Sequence, residues 1–153
     1  MTNLIIILVL IGVGYLIGTL NEKKHFRSIE KREKLSARLP VVTMDKSIRG
    51  GEVVTSARMV TGNAVISIDY FKRILAALRN LFGGEVAAYE SLLDRARREA
   101  LLRMKYQVPS AHAIVNVRIE TSAIGNSANQ KNALGSVEAL AYGTAVWFEE
   151  KRN

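Results

Sequence analysis

Hydrophobic and polar positions divide this chain into three parts. From Leu4 to Leu20 there is no charge and almost nothing polar. From Glu22 to Arg38 the chain is dominated by charge, with Phe26, Ile29 and Leu35 as a thin apolar stripe. From about Pro40 the apolar positions recur with the periods of strands and helices. The run of seventeen residues would span roughly 25 Å as a helix at ~1.5 Å per residue. That is slightly short of a hydrocarbon core of ~30 Å, and neighbouring residues extend it. It predicts a membrane helix over 1–21, because a helix satisfies its own backbone in lipid. A cleaved leader would need a basic start and a small-residue cleavage site, and neither is present. Gly14 and Gly18 are one turn apart in a GxxxG spacing that lets a second helix approach closely.

Residues 22–39 read as a basic juxtamembrane linker, the same helix continued. Seven Lys/Arg stand against three acids there. The excess places the N-terminus outside and the C-terminal domain in the cytoplasm of an inner membrane. Lys23, Lys24, Arg27, Lys31 and Arg32 are the candidates for contact with anionic lipid headgroups; a solvated spacer is the plainer reading. Nucleic acid is a poor partner, since Phe26 is the sole aromatic residue available for stacking in this stretch. Pro40 opens the domain, 40–153.

Within the domain, Val41-Val42-Thr43 starts a short strand. Val53–Thr61 and Ala64–Ile68 are β-rich, and Thr61-Gly62-Asn63 between them signals a hairpin. Asp69 caps a helix carrying Phe71, Ile74, Leu75, Leu78, Leu81 and Phe82 at helical spacing. Gly83-Gly84 turns into a second helix, Glu85–Tyr106, with an apolar stripe of Val86, Tyr89, Leu93, Ala96, Ala100 and Met104. Asp94–Arg98 and Glu99–Arg103 are i,i+4 pairs on other faces. Val108-Pro109 ends that helix. Ala113–Thr121 alternates, with Val115, Val117 and Ile119 on one face. Ser122–Ser136 is a long polar loop, and Val137–Phe148 the last strand. In that strand Ala139, Ala141, Gly143 and Ala145 leave a flat face suited to another backbone or another subunit. The result is an α+β domain, a small antiparallel sheet packed on two helices.

Composition narrows the chemistry. The net charge of +8 is shared between the linker and the domain. The absence of cysteine suits a reducing compartment. With His25 and His112 as the only histidines, soft-metal ligation has few donors. His25 reads as solvated. His112 is a weak metal candidate that reads more simply as a loop or cap residue, although a ring of subunits would bring copies of it to one axis. No nucleophile, base and acid fall in order, and Tyr89-Glu90 reads as helix packing. The glycine pairs lack the Lys-Ser/Thr ending of a phosphate loop. The chain therefore reads as a non-enzyme without a cofactor.

Several segments carry a resemblance: Val60-Thr61-Gly62, Phe71-Lys72-Arg73, Leu81-Phe82-Gly83-Gly84, Ala88-Tyr89-Glu90-Ser91-Leu92-Leu93, Ala96-Arg97-Arg98-Glu99-Ala100 and Tyr142-Gly143-Thr144-Ala145-Val146. Together, over about Val41 to Phe148, they resemble the YbjQ family, also called UPF0145 and described as a heavy-metal-binding domain. The resemblance implies a β-α-β-β domain similar to dodecin-like folds, and ring-shaped homo-oligomers, typically pentamers. The chain departs from the family in its apolar N-terminal helix. It departs also at Ser110–Asn116, where the family carries a Gly-Ala-(Asp/Asn)-Ala-Val-Val-Gly run, and at Arg118-Ile119-Glu120-Thr121, where Asp-Ile-Asp-Tyr is common. The expectation is a membrane-anchored, ring-forming scaffold. The alternatives are a metal- or ligand-binding module of a transport or stress system, and a pore of clustered helices.

Overall fold

A computed structural model describes residues 2–43, 53–67, 87–124 and 136–149, apart from the side chains of residues 2, 4, 7, 8, 87–89 and 124. The expected helix after Asp69, the Gly83-Gly84 turn and most of the polar loop before Ser136 lie outside the described residues. The described elements are α1 (Thr2–Leu35), β1 (Val54–Ser67), α2 (Ala87–Tyr106), β2 (Ala113–Ile124) and β3 (Ser136–Phe148). From β1 onward this is the β-α-β-β order, an α+β domain with an antiparallel three-stranded sheet.

The apolar run and the charged linker form one helix, α1. Arg32 and Lys34 occupy its last turn, where cations oppose the negative end of the helix dipole. The chain leaves it through a turn closed by Leu39 N–H on Ser36 O, 3.2 Å. Among the described residues no helix is long and apolar enough to cross a membrane. Leu4, Ile7 and Leu8, within the apolar run, belong to the side chains that are not described. The apolar side chains that are described, from Ile5 to Leu20, stand largely exposed, Leu10, Leu16 and Leu20 at 60%, 62% and 65%.

β3 is the central strand, in the order β1-β3-β2, and both pairings are antiparallel. Residues 40–42 lie beside β2. Ile114 N–H donates to Pro40 O (2.9 Å), Val42 N–H to Ile114 O (3.0 Å) and Val117 N–H to Val42 O (3.1 Å). Val41 makes a parallel bridge to Ile114 there, which cuts back an otherwise open edge.

The hairpin expected at Thr61-Gly62-Asn63 does not form. β1 runs straight through, with Thr61 opposite Tyr142, Gly62 opposite Ala141 and Asn63 opposite Leu140. Gly62 answers a different need: a methyl placed on it would overlap the backbone of Ala100 and Met104. Glycine in mid-strand marks close approach of another backbone here, not a turn.

The expected face of Val115, Val117 and Ile119 is also split. Val115 pairs with Thr144 and Arg118 with Tyr142, so Asn116 and Val117 together oppose Gly143. Asn116 adopts φ 54°, the left-handed region that asparagine tolerates better than most residues. This bulge moves the side-chain alternation by one place. Ile114 before it and Val117 after it both enter the core, whereas Val115 shares the opposite face with Thr144.

The core lies between that sheet face and α2. Leu92, Ala96, Ala100 and Met104 of α2 meet Val60 and Ala64 of β1 and Val137, Ala139, Ala141 and Ala145 of β3. Small residues on both sides let helix and sheet pack closely. On the other face of the sheet Met59, Val65 and Leu140 are exposed.

Candidate functional site at the seam of two helices

The densest polar constellation in the described structure is where α1 passes α2. Along α1, Glu22, His25, Phe26, Ile29, Arg32 and Glu33 recur at steps of three and four, one helical face, and Ser36 follows in the turn just after it. On α2 the partners are Ser91, Arg95, Arg98, Glu99 and Lys105. The contacts rise together along both helices, so the two run parallel through this stretch.

Glu99 is the centre. It is the buried charged residue of the described structure, 6% exposed. Arg32 meets it with both terminal nitrogens, Nη1 to Oε1 at 3.1 Å and Nη2 to Oε2 at 2.5 Å. Arg103 Nε adds a third bond to Oε1, 3.1 Å. Burial opposes the charged carboxylate, but the hydrogen bonds from Arg32 outweigh it and hold Glu99 below the usual carboxylate range. A second fork joins Arg98 to Glu33, Nε to Oε1 at 2.8 Å and Nη2 to Oε2 at 2.6 Å, and Arg98 also reaches Asp94 at 3.4 Å. Glu33 is lowered by Arg98, and Arg98 is raised by Glu33.

Around these forks, Ser91 Oγ donates to Glu22 and Lys105 Nζ to Ser36 O at 3.1 Å. The Phe26 ring lies 5.7 Å from the Arg95 guanidinium and 5.8 Å from that of Arg98, both within cation–π range. Arg95 Nε donates to His25 Nδ1 at 3.2 Å, so the imidazole is neutral when it accepts. Burial and then the Arg95 charge lower its affinity for a proton. Ile29, fully buried, supplies the apolar contact. Their arginine partners favour the ionised forms of Glu33 and Glu99, and burial with the Arg95 charge favours the neutral form of His25. That chemistry fastens a helix and offers no free base or nucleophile.

The expected site residues separate accordingly. Lys23, Lys24, Arg27 and Lys31 are exposed on α1. Arg32 is not a free lipid-facing cation, because Glu99 occupies its guanidinium. His25 is a seam residue, not a solvated one. Gly14 and Gly18 lie within α1. Ala139, Ala141 and Ala145 belong to the core shared with Leu92, Ala96, Ala100 and Met104 of the chain's own α2, and Gly143 is buried in the same strand. Those side chains are buried in the monomer, so they present no surface to a second subunit. Gly143 also accommodates the bulge, since a methyl there would meet Val117 Cγ2 at 2.9 Å and Ile114 Cγ2 at 3.0 Å.

His112 serves the fold. Its N–H donates to Val146 O, 3.0 Å. Its Nδ1 accepts from Phe148 N–H at 2.9 Å, and its ring stacks on Phe148 with centroids 5.8 Å apart. A neutral imidazole accepting at Nδ1 keeps its proton on Nε2, so neither nitrogen offers a lone pair to a metal while that bond stands. Among the described residues no group of three or more His, Asp or Glu converges. These residues do not fit a heavy-metal centre.

Sequence reasoning missed Glu99 and Glu33 as fastening residues. The i,i+4 pair Glu99–Arg103 was visible; that Arg32 would reach the same carboxylate from 67 positions away was not.

Comparison with known proteins covers the same domain. The family model described as "Putative heavy-metal-binding" matches residues 40–149. A UPF0145 protein of Hahella chejuensis is 40% identical over 111 residues, 71% of this chain and 99% of that one. Another, from Dehalococcoides mccartyi, is 36% identical over the same shares. A third, from Photobacterium profundum, is 43% identical over 71% of this chain and 97% of its own length. The matched relatives are thus nearly used up by the domain, and α1 lies before the matched residues. Over residues 40–149 the chain belongs to the YbjQ/UPF0145 family.

Proposed function

We propose that this protein is a membrane-anchored, non-enzymatic YbjQ-domain protein whose α1 both spans the bilayer and forms part of the domain. The N-terminus lies outside, the domain in the cytoplasm, and several copies assemble as a homo-oligomer. The observation that carries the reading is the divided character of α1. Its first half exposes apolar side chains such as Ile5, Val9, Leu10, Val13, Leu16 and Ile17, while its second half is tied to α2 by paired charges. Water disfavours such an exposed apolar helix by about 25 cal/mol per Å², and lipid removes that penalty. The charge excess after Leu20 supports the orientation. Gly14, half-buried on α1, offers a close-approach position for a helix of a neighbouring copy, whereas Gly18 is already buried within the chain; the family resemblance supports a ring, with five copies as the expectation. Since α2 covers the Ala139–Ala145 face, the ring contact falls to other surfaces.

The test is flotation of the full chain with phospholipid vesicles after an alkaline wash. Co-flotation is expected, and its loss when Leu10 and Leu16 are both replaced by Lys. A native chain left at the bottom of the gradient refutes the anchor. Mass measurement in detergent tests assembly, and a monomer refutes it. Metal binding is compatible with the family's description, but no described constellation favours it.

A further inference from the structure

We infer that the seam fixes which end of the domain meets the bilayer: the end carrying Ser67, Ile124 and Ser136 rests on the phospholipid headgroup layer, and the end carrying Ser110, His112 and Glu149 points away. This rests on the anchor reading and goes beyond it. Two registers establish the geometry. Along the seam, Glu22 meets Ser91, His25 meets Arg95, Arg32 meets Glu99 and Ser36 meets Lys105. α2 therefore runs in the same direction as α1, away from the apolar run. Across the sheet, Arg103 donates to Asn63 O (2.8 Å), Gln107 to Thr61 O (2.5 Å) and Arg58 to Gln107 O (3.0 Å). As α2 advances, β1 retreats, so β1 runs back toward the membrane end of α1.

The strand pairing completes the placement. Ser67 lies opposite Ser136, and their hydroxyls bond at 2.8 Å. Ile124 lies opposite Ser136 on the other side. All three strand ends thus lie toward the start of α2, roughly level with Ser91 to Arg95 at the rises of strand and helix. By the seam register, the first residue of α2, Ala87, stands level with the last turn of the apolar run. Leu35, by contrast, the last residue of α1, lies roughly 22 Å beyond Leu20 along the helix, more than the thickness of a headgroup layer. Among the described residues, the exposed charges nearest the run are Lys23, Lys24 and Arg27 on α1 and Glu90 and Asp94 on α2. The balance suits an anionic phospholipid surface.

The chain has no cysteine, so single-cysteine variants of the full protein can be labelled at one place each. S67C and S136C report on the proposed lipid-facing end, S110C and E149C on the distal end; all four positions are at least partly exposed. Each is given a fluorophore, reconstituted in vesicles containing phosphatidylglycerol and checked by flotation. Quenching by a lipid carrying a nitroxide on its headgroup is then measured. Quenching several-fold stronger at 67 and 136 than at 110 and 149 is expected. Vesicles that float with the protein but give equal or reversed quenching overturn the orientation and leave the anchor standing. Protein that does not float overturns the anchor, and the orientation with it.

Discussion

Arg32 and Glu99, 67 residues apart in sequence, form a two-pronged ion pair with N–O distances of 3.1 and 2.5 Å. It joins an element outside the family's matched region to the centre of the family's helix. The carboxylate is buried and its partner only a quarter exposed. Such a pair is worth little as a net gain over apolar packing, yet breaking one half of it is costly.

A double-mutant cycle on R32A and E99A should therefore show coupling. About 0.5–3 kcal/mol is expected for groups in one network, read from urea midpoints of the full protein in detergent. E99A alone should be the more damaging single change, because it strands both Arg32 and Arg103. Strict additivity of the two changes would show that the pair is a surface ornament.

Acid should loosen the seam in two stages. His25, Glu33 and Glu99 all have folded-state values below their ordinary ones. Each binds fewer protons folded than unfolded, so each stabilises fully above its unfolded value and loses that contribution as pH falls through its folded value. His25 acts first, below an ordinary value of 6.5, where its charge would join Arg95, Arg32 and Arg103 against Glu99. The carboxylates follow below about 4.5. Urea midpoints measured against pH should fall in that order, and H25Q should remove the first fall only. A first fall that persists in H25Q would assign it elsewhere.

Gly62→Ala should destabilise the domain by about 1–3 kcal/mol, the usual cost of forcing bulk into a packed contact. The obstacle is the backbone of Ala100 and Met104, which cannot swing aside as a side chain could. Thermal unfolding measures the loss. An unchanged midpoint would mean that α2 sits farther from β1 than described.

Asn116 distinguishes backbone strain from side-chain chemistry. Replacement by Val at φ 54° should cost roughly 1–2 kcal/mol, while Gly should be close to neutral at the same position. Equal losses from both changes would point to the amide group, not the bulge. The comparison needs only denaturation curves of the two variants.

Much of the fold was readable in the sequence because local rules and tertiary contacts agreed there. Of the α2 stripe, Ala96, Ala100 and Met104 are buried as the periodicity predicts, while Leu92 and not Leu93 takes the buried place before them and Val86 and the Tyr89 side chain lie outside the described residues; the β3 alternation and the unbroken charge-rich continuation of α1 also appear. Where a residue had two meanings, the sequence was ambiguous. Gly62 reads as a turn or as a close approach, and only the presence of α2 against β1 decides. Asn116 interrupts nothing in the pattern of Val115, Val117 and Ile119, yet its left-handed backbone re-aims the residues before it.

The candidate site was less legible still. Arg32 looks like any juxtamembrane cation and Glu99 like one half of a surface helix pair. Ala139, Ala141 and Ala145 looked as ready for a neighbour as for the chain's own helix. What the sequence determined by itself was the family, the helices α1 and α2, the strands β2 and β3, and the apolar character of Leu4–Leu20, because these depend on residue type and near spacing. The tertiary structure alone decided which charges pair, which flat face is already covered and in which direction α2 runs beside α1. Those depend on residues some 70 positions apart being brought to one place, and no period in the chain encodes that meeting.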